Sequence, residues 1–162
     1  MKKRLVLFLA VAVTLVAAKS IMAQDDKSKR PSPPATAEHK FADATSVKID
    51  YSSPRMKARK IFGGLVPYGR VWRTGANEAT SFVTTSNLAI AGKAVPPGSY
   101  TLFTIPGKKF WTLILSKKIG EWGTDYPGEK EDLLRVKMRV RSSVAPIENF
   151  TIALDGKGPK SA

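Results

Sequence analysis

The stretch GSYTLFTIPGKKFWTLILS, residues 98–116, decides the fold class of this chain. Two runs rich in Thr, Leu, Ile and aromatic residues, 99–105 and 110–116, flank a turn that contains Pro106 and Gly107. Apolar runs of this length, rich in β-branched and aromatic residues and joined by a short Gly- and Pro-containing turn, are typical of a β-hairpin. The stretch therefore predicts two neighbouring antiparallel strands.

Short strands separated by turns are predicted on both sides of this hairpin. Residues 134–141 alternate strictly, which predicts that Leu134, Val136, Met138 and Val140 face the core and that the four basic residues between and after them face solvent. Further strands are predicted at residues 47–51, 79–86, 88–90 with 95, and 150–154. After residue 41, a helical period does not persist beyond about two turns. The sequence therefore predicts an all-β fold, a single antiparallel β-sandwich-like domain over residues 42–155, with a flexible tail at 156–162.

The N-terminus has the three parts of a secretory signal peptide. Lys2, Lys3 and Arg4 precede an apolar run, and small residues follow up to Ala23. The run is shorter than the 20 or so residues that span a bilayer comfortably, and no later segment is long and apolar enough to do so. We therefore expect residues 1–23 to be removed near Ala23, and the protein to be secreted or periplasmic without a transmembrane segment.

Composition excludes several classes of site. The 162 residues contain no cysteine and a single histidine, His39, which rules out thiol nucleophiles, disulfide scaffolds and Cys-rich metal sites. His39 lies in residues 24–41, a polar stretch with three prolines that predicts a disordered or extended linker. We expect no metal and no cofactor. The formal charge of +14 would draw the protein to an anionic envelope component, but many exported proteins are basic without such a ligand, so both alternatives stay open. No motif indicates specific nucleic-acid binding.

One long loop departs from the strand pattern and is the candidate site. Residues 61–77, IFGGLVPYGRVWRTGAN, combine four glycines with bulky apolar residues, as a packed loop with its own hydrophobic anchors does. Such loops often carry function. Just before it, Arg55, Lys57 and Arg59 alternate, which predicts that they project from one face of an extended segment.

The runs YSSPRMKARKIFGGLVPYGRVWRTGANEATSF (51–82) and PPGSYTLFTIPGKKFWTLILSK (96–117) resemble the domain-of-unknown-function 2911 family. The resemblance implies an exported, β-rich bacterial protein without an established activity. Ala58 stands where similar proteins usually have glycine, and the resemblance leads us to expect that the C-terminal hairpin with which they look as if they end is missing here. Some members carry the label asparagine synthetase B, which the residues reject, because glutamine-dependent amide transfer needs a cysteine thiolate.

Two functional hypotheses remain open. The first is a non-enzymatic binding or cell-envelope-associated β module that binds a small polar ligand or an anionic component through Tyr68, Trp72, Arg73, Asn77, Glu78 and Arg59. The second is a metal-independent enzyme on a small polar or carbohydrate substrate, with Glu78 as acid or base beside Arg73 and Asn77. A raised pKa at Glu78 in a cavity favours the enzyme, and a buried Arg73–Glu78 pair without a cavity favours a structural or binding role.

Overall fold

The computed structural model describes residues 26–155, so the predicted signal peptide and tail lie outside the described residues. Within that range the chain forms eight β-strands and two short 3-10 turns, at Lys27–Lys29 and Glu129–Glu131. The strands are β1 (Pro34–Lys40), β2 (Ser46–Ser52), β3 (Thr80–Thr84), β4 (Leu88–Ile90), β5 (Lys93–Val95), β6 (Gly98–Ile105), β7 (Phe110–Ser116) and β8 (Asp132–Arg139). The all-β prediction is confirmed.

Six of the strands form one antiparallel sheet in the order β1-β2-β3-β6-β7-β8. The hairpin β6–β7 predicted from residues 98–116 lies near its centre, with Leu102 opposite Leu115. The remaining strands, β4 and β5, pair only with each other. The second layer is therefore this small hairpin together with irregular segments.

The two faces of the large sheet bury different sets of side chains. One face carries the main core, to which every strand of the sheet contributes: Ala37, Val47, Ile49, Tyr51, Phe82, Tyr100, Leu102, Leu115, Leu134 and Val136, joined by Val95 of β5. Phe103 and Ile114 are fully buried and alternate with this set, so they point to the opposite face. There the ring of Tyr126 packs on Phe103 at 5.3 Å between centroids, so the segment between β7 and β8 covers that face.

Three details differ from the sequence expectations. Residues 34–40, expected within the linker, are extended, but they form edge strand β1 and pair with β2 from Pro34 opposite Ser52 to Lys40 opposite Ser46. Residues 150–154 pack on the core without forming a strand. Val140, expected to face the core, is exposed, because β8 ends at Arg139.

Candidate functional site

A cavity of about 630 Å³ opens where the long loop meets the sheet and the C-terminal segment. Its lining comes from parts of the chain that are distant in sequence. The long loop and residues 54–59 just before it supply most of the lining, and Trp111 of β7, residues 147–151, Ser32 and Thr124 complete it. Leu65 and Ile147, which both line the cavity, are 61% and 66% exposed. The opening is therefore flanked by apolar side chains that water surrounds.

Four aromatic rings form one wall of the cavity. Phe62, Trp72 and Trp111 contact one another edge to face, and Phe150 contacts Trp72 in the same way, with centroid distances of 4.6 to 6.2 Å. Such edge-to-face pairs stabilise an aromatic cluster beyond the area that they bury. The indole Nε1 of Trp72 donates to the carbonyl oxygen of Gly75 at 3.1 Å, which fixes the ring plane. The wall is thus a rigid, largely apolar surface.

The loop that carries Trp72 and Arg73 is held on the sheet by hydrogen bonds and close packing. The backbone of Trp72 exchanges two hydrogen bonds with Thr104 of β6, at 2.7 and 2.9 Å. The hydroxyl of Thr80 donates to the carbonyl oxygen of Thr74 at 2.9 Å, and Thr74 itself has a φ of 59°. A Cβ on Gly75 would lie 2.9 Å from the carbonyl oxygen of Ser52, so only glycine allows this approach. Positive φ at a β-branched residue costs free energy, and such residues cluster at functional sites.

A tight turn places Arg55 and Arg59 on the cavity. Lys57 and Ala58 both have positive φ, 50° and 56°, and Arg59 N–H donates to the Met56 carbonyl oxygen at 3.1 Å. Positive φ at both central residues is the mark of a type I′ turn. The expectation of an extended segment is therefore wrong here, and Lys57 is absent from the cavity lining. The turn would favour glycine at position 58, since glycine adopts positive φ without a steric cost.

Four arginines line the cavity: Arg55, Arg59, Arg70 and Arg73. Within residues 26–155, none of the four forms an ion pair with a carboxylate. One acidic residue, Glu148, joins them in the lining, and its Oε1 accepts a hydrogen bond from the backbone N–H of Lys57 at 2.9 Å. The cavity therefore carries an excess of positive charge.

Arg73 is a half-buried cation of the cavity lining. Its Nη1 donates to the Gly123 carbonyl oxygen at 3.1 Å, while its Nε is buried without a hydrogen-bond partner among the described residues. Burial lowers the pKa of the Arg73 guanidinium, although an arginine stays charged at neutral pH. Among the described residues, Arg73 does not form the expected ion pair with Glu78, and Glu78 does not line this cavity.

Glu78 lies in a different, smaller cavity of about 200 Å³. Its carboxylate forms ion pairs with Lys27 at 2.9 Å and with Arg30 at 3.0 Å, and its side chain is 36% exposed. The hydrogen bond from Lys27, reinforced by Arg30, lowers the pKa of Glu78 to about 2. The raised pKa that would favour an acid catalyst is therefore absent at this residue.

The other expected site residues divide between the cavity and its surroundings. Trp72, Arg73 and Arg59 line the cavity, whereas Asn77 and Tyr68 do not. The Asn77 Nδ2 donates to the Ser32 carbonyl oxygen at 3.0 Å and to the Ser52 hydroxyl at 3.2 Å, so it fixes the segment before β1. The Tyr68 ring is partly exposed and lies against Gly63, where any Cβ would collide with it.

Two residues of the aromatic wall were not predicted as part of the site. Trp111 lies in the strand predicted at 110–116 and Phe150 in the strand predicted at 150–154, yet both rings belong to the wall. Their apolar character was visible, but their approach to Trp72 depends on contacts across many residues of sequence. Arg55 was predicted only as one of three alternating basic residues before the loop, and Arg70 only as part of the loop sequence.

The described residues hold neither of two features that would point to other functions. Residues 26–155 contain no group of three or more His, Asp or Glu side chains arranged to hold a metal ion. In that same range, no helix is long and apolar enough to cross a membrane.

Comparisons with other proteins give one family and no nearer relative. A family model described as a protein of unknown function (DUF2911) matches residues 32–162. The match begins just before β1, in agreement with the place of that strand in the sheet. Searches of the curated proteins and of the solved structures gave no significant match. Because the family match covers most of its length, the chain belongs to the DUF2911 family of proteins of unknown function.

Proposed function

We propose that this protein is an exported, non-enzymatic binding module of the cell envelope, and that the 630 Å³ cavity holds its small-molecule ligand. One observation carries the proposal. Four packed aromatic rings and four arginines without carboxylate partners in the described range line the same concave surface. A largely apolar pocket with a few convergent polar groups is the usual form of a small-molecule site.

The size and surface of the cavity support binding of a small molecule. Its volume lies within the range of roughly 300–1,000 Å³ that is typical of ligand pockets. Leu65 and Ile147 at its opening leave apolar area in contact with water, and a ligand would cover that area. Burial of apolar surface contributes about 25 cal/mol per Å², so the walls supply a driving force for a ligand with an apolar part.

The acidic residues near the site favour binding over catalysis. A general acid or base works best when its pKa lies near the working pH. Glu78 is ionised, paired with Lys27 and Arg30, and outside the large cavity. Glu148 lines the cavity and already accepts a backbone hydrogen bond. The alternative, a metal-independent enzyme that uses Glu78 with Arg73 and Asn77, therefore receives no support from these contacts.

Export rests on the N-terminal sequence. Lys2, Lys3 and Arg4 before the apolar run indicate a signal peptide that is cleaved near Ala23. N-terminal sequencing of the protein purified from its native host should give a chain that begins at Gln24, or at Lys19 if an earlier site is used. A cytoplasmic protein that retains Met1 would contradict this part of the proposal.

A neutral fluorescent probe tests the binding function itself. N-phenyl-1-naphthylamine is apolar and aromatic, and its fluorescence rises when it leaves water, so it should bind the protein in a saturable manner at one site. Ala76 lines the cavity, and Ala76→Phe should fill part of the space and reduce that binding. Ala89→Phe, on the exposed face of β4, is the matched control and should leave it unchanged.

The two substitutions also define failure. Equal binding by both variants, at wild-type affinity, would place the probe outside the cavity. Absence of saturable probe binding by the wild-type protein would contradict the proposed function.

A further inference from the structure

We infer that the ligand of this cavity is an apolar, ring-bearing molecule with one anionic group, and that Arg73 receives that group. The inference rests on the proposed binding function and adds the chemical class of the ligand. It follows from the hydrogen bonding of Arg73, from the charge of the cavity lining and from the aromatic wall.

Arg73 has unused hydrogen-bonding capacity beside the aromatic wall. A guanidinium has five N–H donors, and the structure gives Arg73 one bond, from Nη1 to the Gly123 carbonyl oxygen. The Nε donor is buried without a partner among the described residues. A buried polar group without a hydrogen bond is costly, and the cost is larger for a charged group. Nε itself has almost no accessible surface, so an anion in the cavity would instead accept from the Nη2 donors, which are not buried, and would supply the missing negative charge.

The other arginines reinforce the preference for an anion. Arg55 Nη1 donates to the carbonyl and hydroxyl oxygens of Ser53, both at 2.8 Å, and Arg59 donates to the carbonyl oxygens of Met56 and Arg55. Carbonyl oxygens orient these guanidinium groups without neutralising them. The field of four arginines against a single glutamate therefore disfavours a cationic ligand and strengthens binding of an anionic one.

The aromatic wall indicates what the ligand carries besides its anionic group. Trp72, Trp111 and Phe62 present rings at the same surface as Arg73, so the anionic group and a flat apolar body would be bound side by side. Carboxylate and phosphate oxygens form charge-assisted bonds to a guanidinium, and a sulfonate offers anionic oxygens of the same kind. The shared chemistry is thus a single anionic group on an aromatic body.

A matched pair of probes separates this inference from the proposed function. 1-Anilinonaphthalene-8-sulfonate differs from N-phenyl-1-naphthylamine by the sulfonate alone. The wild-type protein should bind the sulfonate at least about tenfold more tightly than the neutral probe, the effect of one charge-assisted hydrogen bond. Similar affinities for both probes would overturn the inference and leave the binding function intact.

Substitution of Arg73 identifies the group that receives the anion. Arg73→Met should weaken sulfonate binding about tenfold or more and leave the affinity for the neutral probe within about twofold. Arg141→Met removes the same charge at an exposed position outside the cavity and should change neither affinity. Loss of sulfonate affinity in both variants to the same extent would show that net charge alone attracts the probe, which would overturn the role of Arg73.

Two further measurements keep the test decisive. If Arg73→Met does not fold, as thermal unfolding would reveal, Arg73→Lys retains the charge but not the planar fork, and should still weaken sulfonate binding. Competition against the bound sulfonate by 1-naphthoate, 1-naphthyl phosphate and 1-naphthol distinguishes the anionic groups. Both anions should displace the probe better than 1-naphthol, and equal displacement by all three would overturn the inference.

Discussion

The Thr80 hydroxyl forms a buried side-chain hydrogen bond between the site loop and the sheet, and a single substitution can remove it. Thr80 is fully buried at the start of β3, and its Oγ1 donates to the carbonyl oxygen of Thr74 at 2.9 Å. The substitution Thr80→Val keeps the branched shape and removes the donor. The Thr74 carbonyl, next to Arg73, would then be buried without this hydrogen bond.

The expected loss of stability follows from the removal of that hydrogen bond. A buried acceptor left without its partner costs about 1–3 kcal/mol in the free energy of unfolding. For a domain of this size, each kcal/mol lowers Tm by roughly 4 °C, so the expected decrease is about 4–12 °C. Urea denaturation followed by tryptophan fluorescence measures the free energy, and thermal unfolding by circular dichroism measures Tm.

An exposed threonine provides the control. The Thr151 hydroxyl makes only a local bond to the Asn149 carbonyl oxygen, so Thr151→Val should change the free energy of unfolding by less than about 0.5 kcal/mol. Equal losses for the two variants would refute the reasoning that the buried hydroxyl holds the loop.

Three other predictions concern the turn, the acid range and the core. Ala58→Gly should raise the free energy of unfolding in urea by about 0.5–1 kcal/mol, because Ala58 has a φ of 56°. The control Ala89→Gly in β4 should lower it, and a lower free energy of unfolding for Ala58→Gly would contradict the turn. Because the folded pKa of Glu78 is about 2, below its usual 4.5, the stability that its ionised form adds is present above pH 4.5 and is lost as the pH falls towards 2. Glu78→Gln should remove that acid dependence, at a cost below about 1 kcal/mol at neutral pH, and an unchanged titration of stability would refute the pairing. Val136→Asp should lower the free energy of unfolding by about 3 kcal/mol or more, because Val136 is buried, and Lys137→Ser should lower it by less than about 0.5 kcal/mol, because Lys137 is exposed. Equal effects would show that the period of β8 was misread.

Strands β2 and β8 were predictable because their residues alternate between the main core and the opposite face of the sheet. Residues 47–51 and 134–138 follow a period of two, and their buried members are the ones that the pattern indicates. Strand β1 was not predictable in this way. It is an edge strand that buries only Ala37, and Pro34 stands at its first position, where proline is tolerated. Residues 150–154 show the converse, since Phe150, Ile152 and Leu154 alternate in burial without a partner strand.

The site was predictable in composition but not in geometry. The glycines, Trp72 and Arg73 marked the loop, and the cavity does lie there. Chain proximity suggested that Arg73 and Glu78 act together, but the bond from Arg73 to Gly123 directs the two side chains to different surroundings. Arg73 bonds to Gly123 and Glu78 bonds to Arg30, and in each case the partners lie about 50 residues apart in sequence. A local sequence pattern does not predict contacts between residues so far apart.

A crystal structure of the full-length mature protein grown with 1-anilinonaphthalene-8-sulfonate tests the central claim most directly. The account predicts that the aromatic rings of the probe lie against Trp72 and Trp111, with a sulfonate oxygen within hydrogen-bonding distance of the Arg73 guanidinium. A probe bound only at surface lysines, with the cavity free of it, would contradict the account. A probe inside the cavity whose sulfonate points away from Arg73 would retain the binding site and contradict the assigned anion contact.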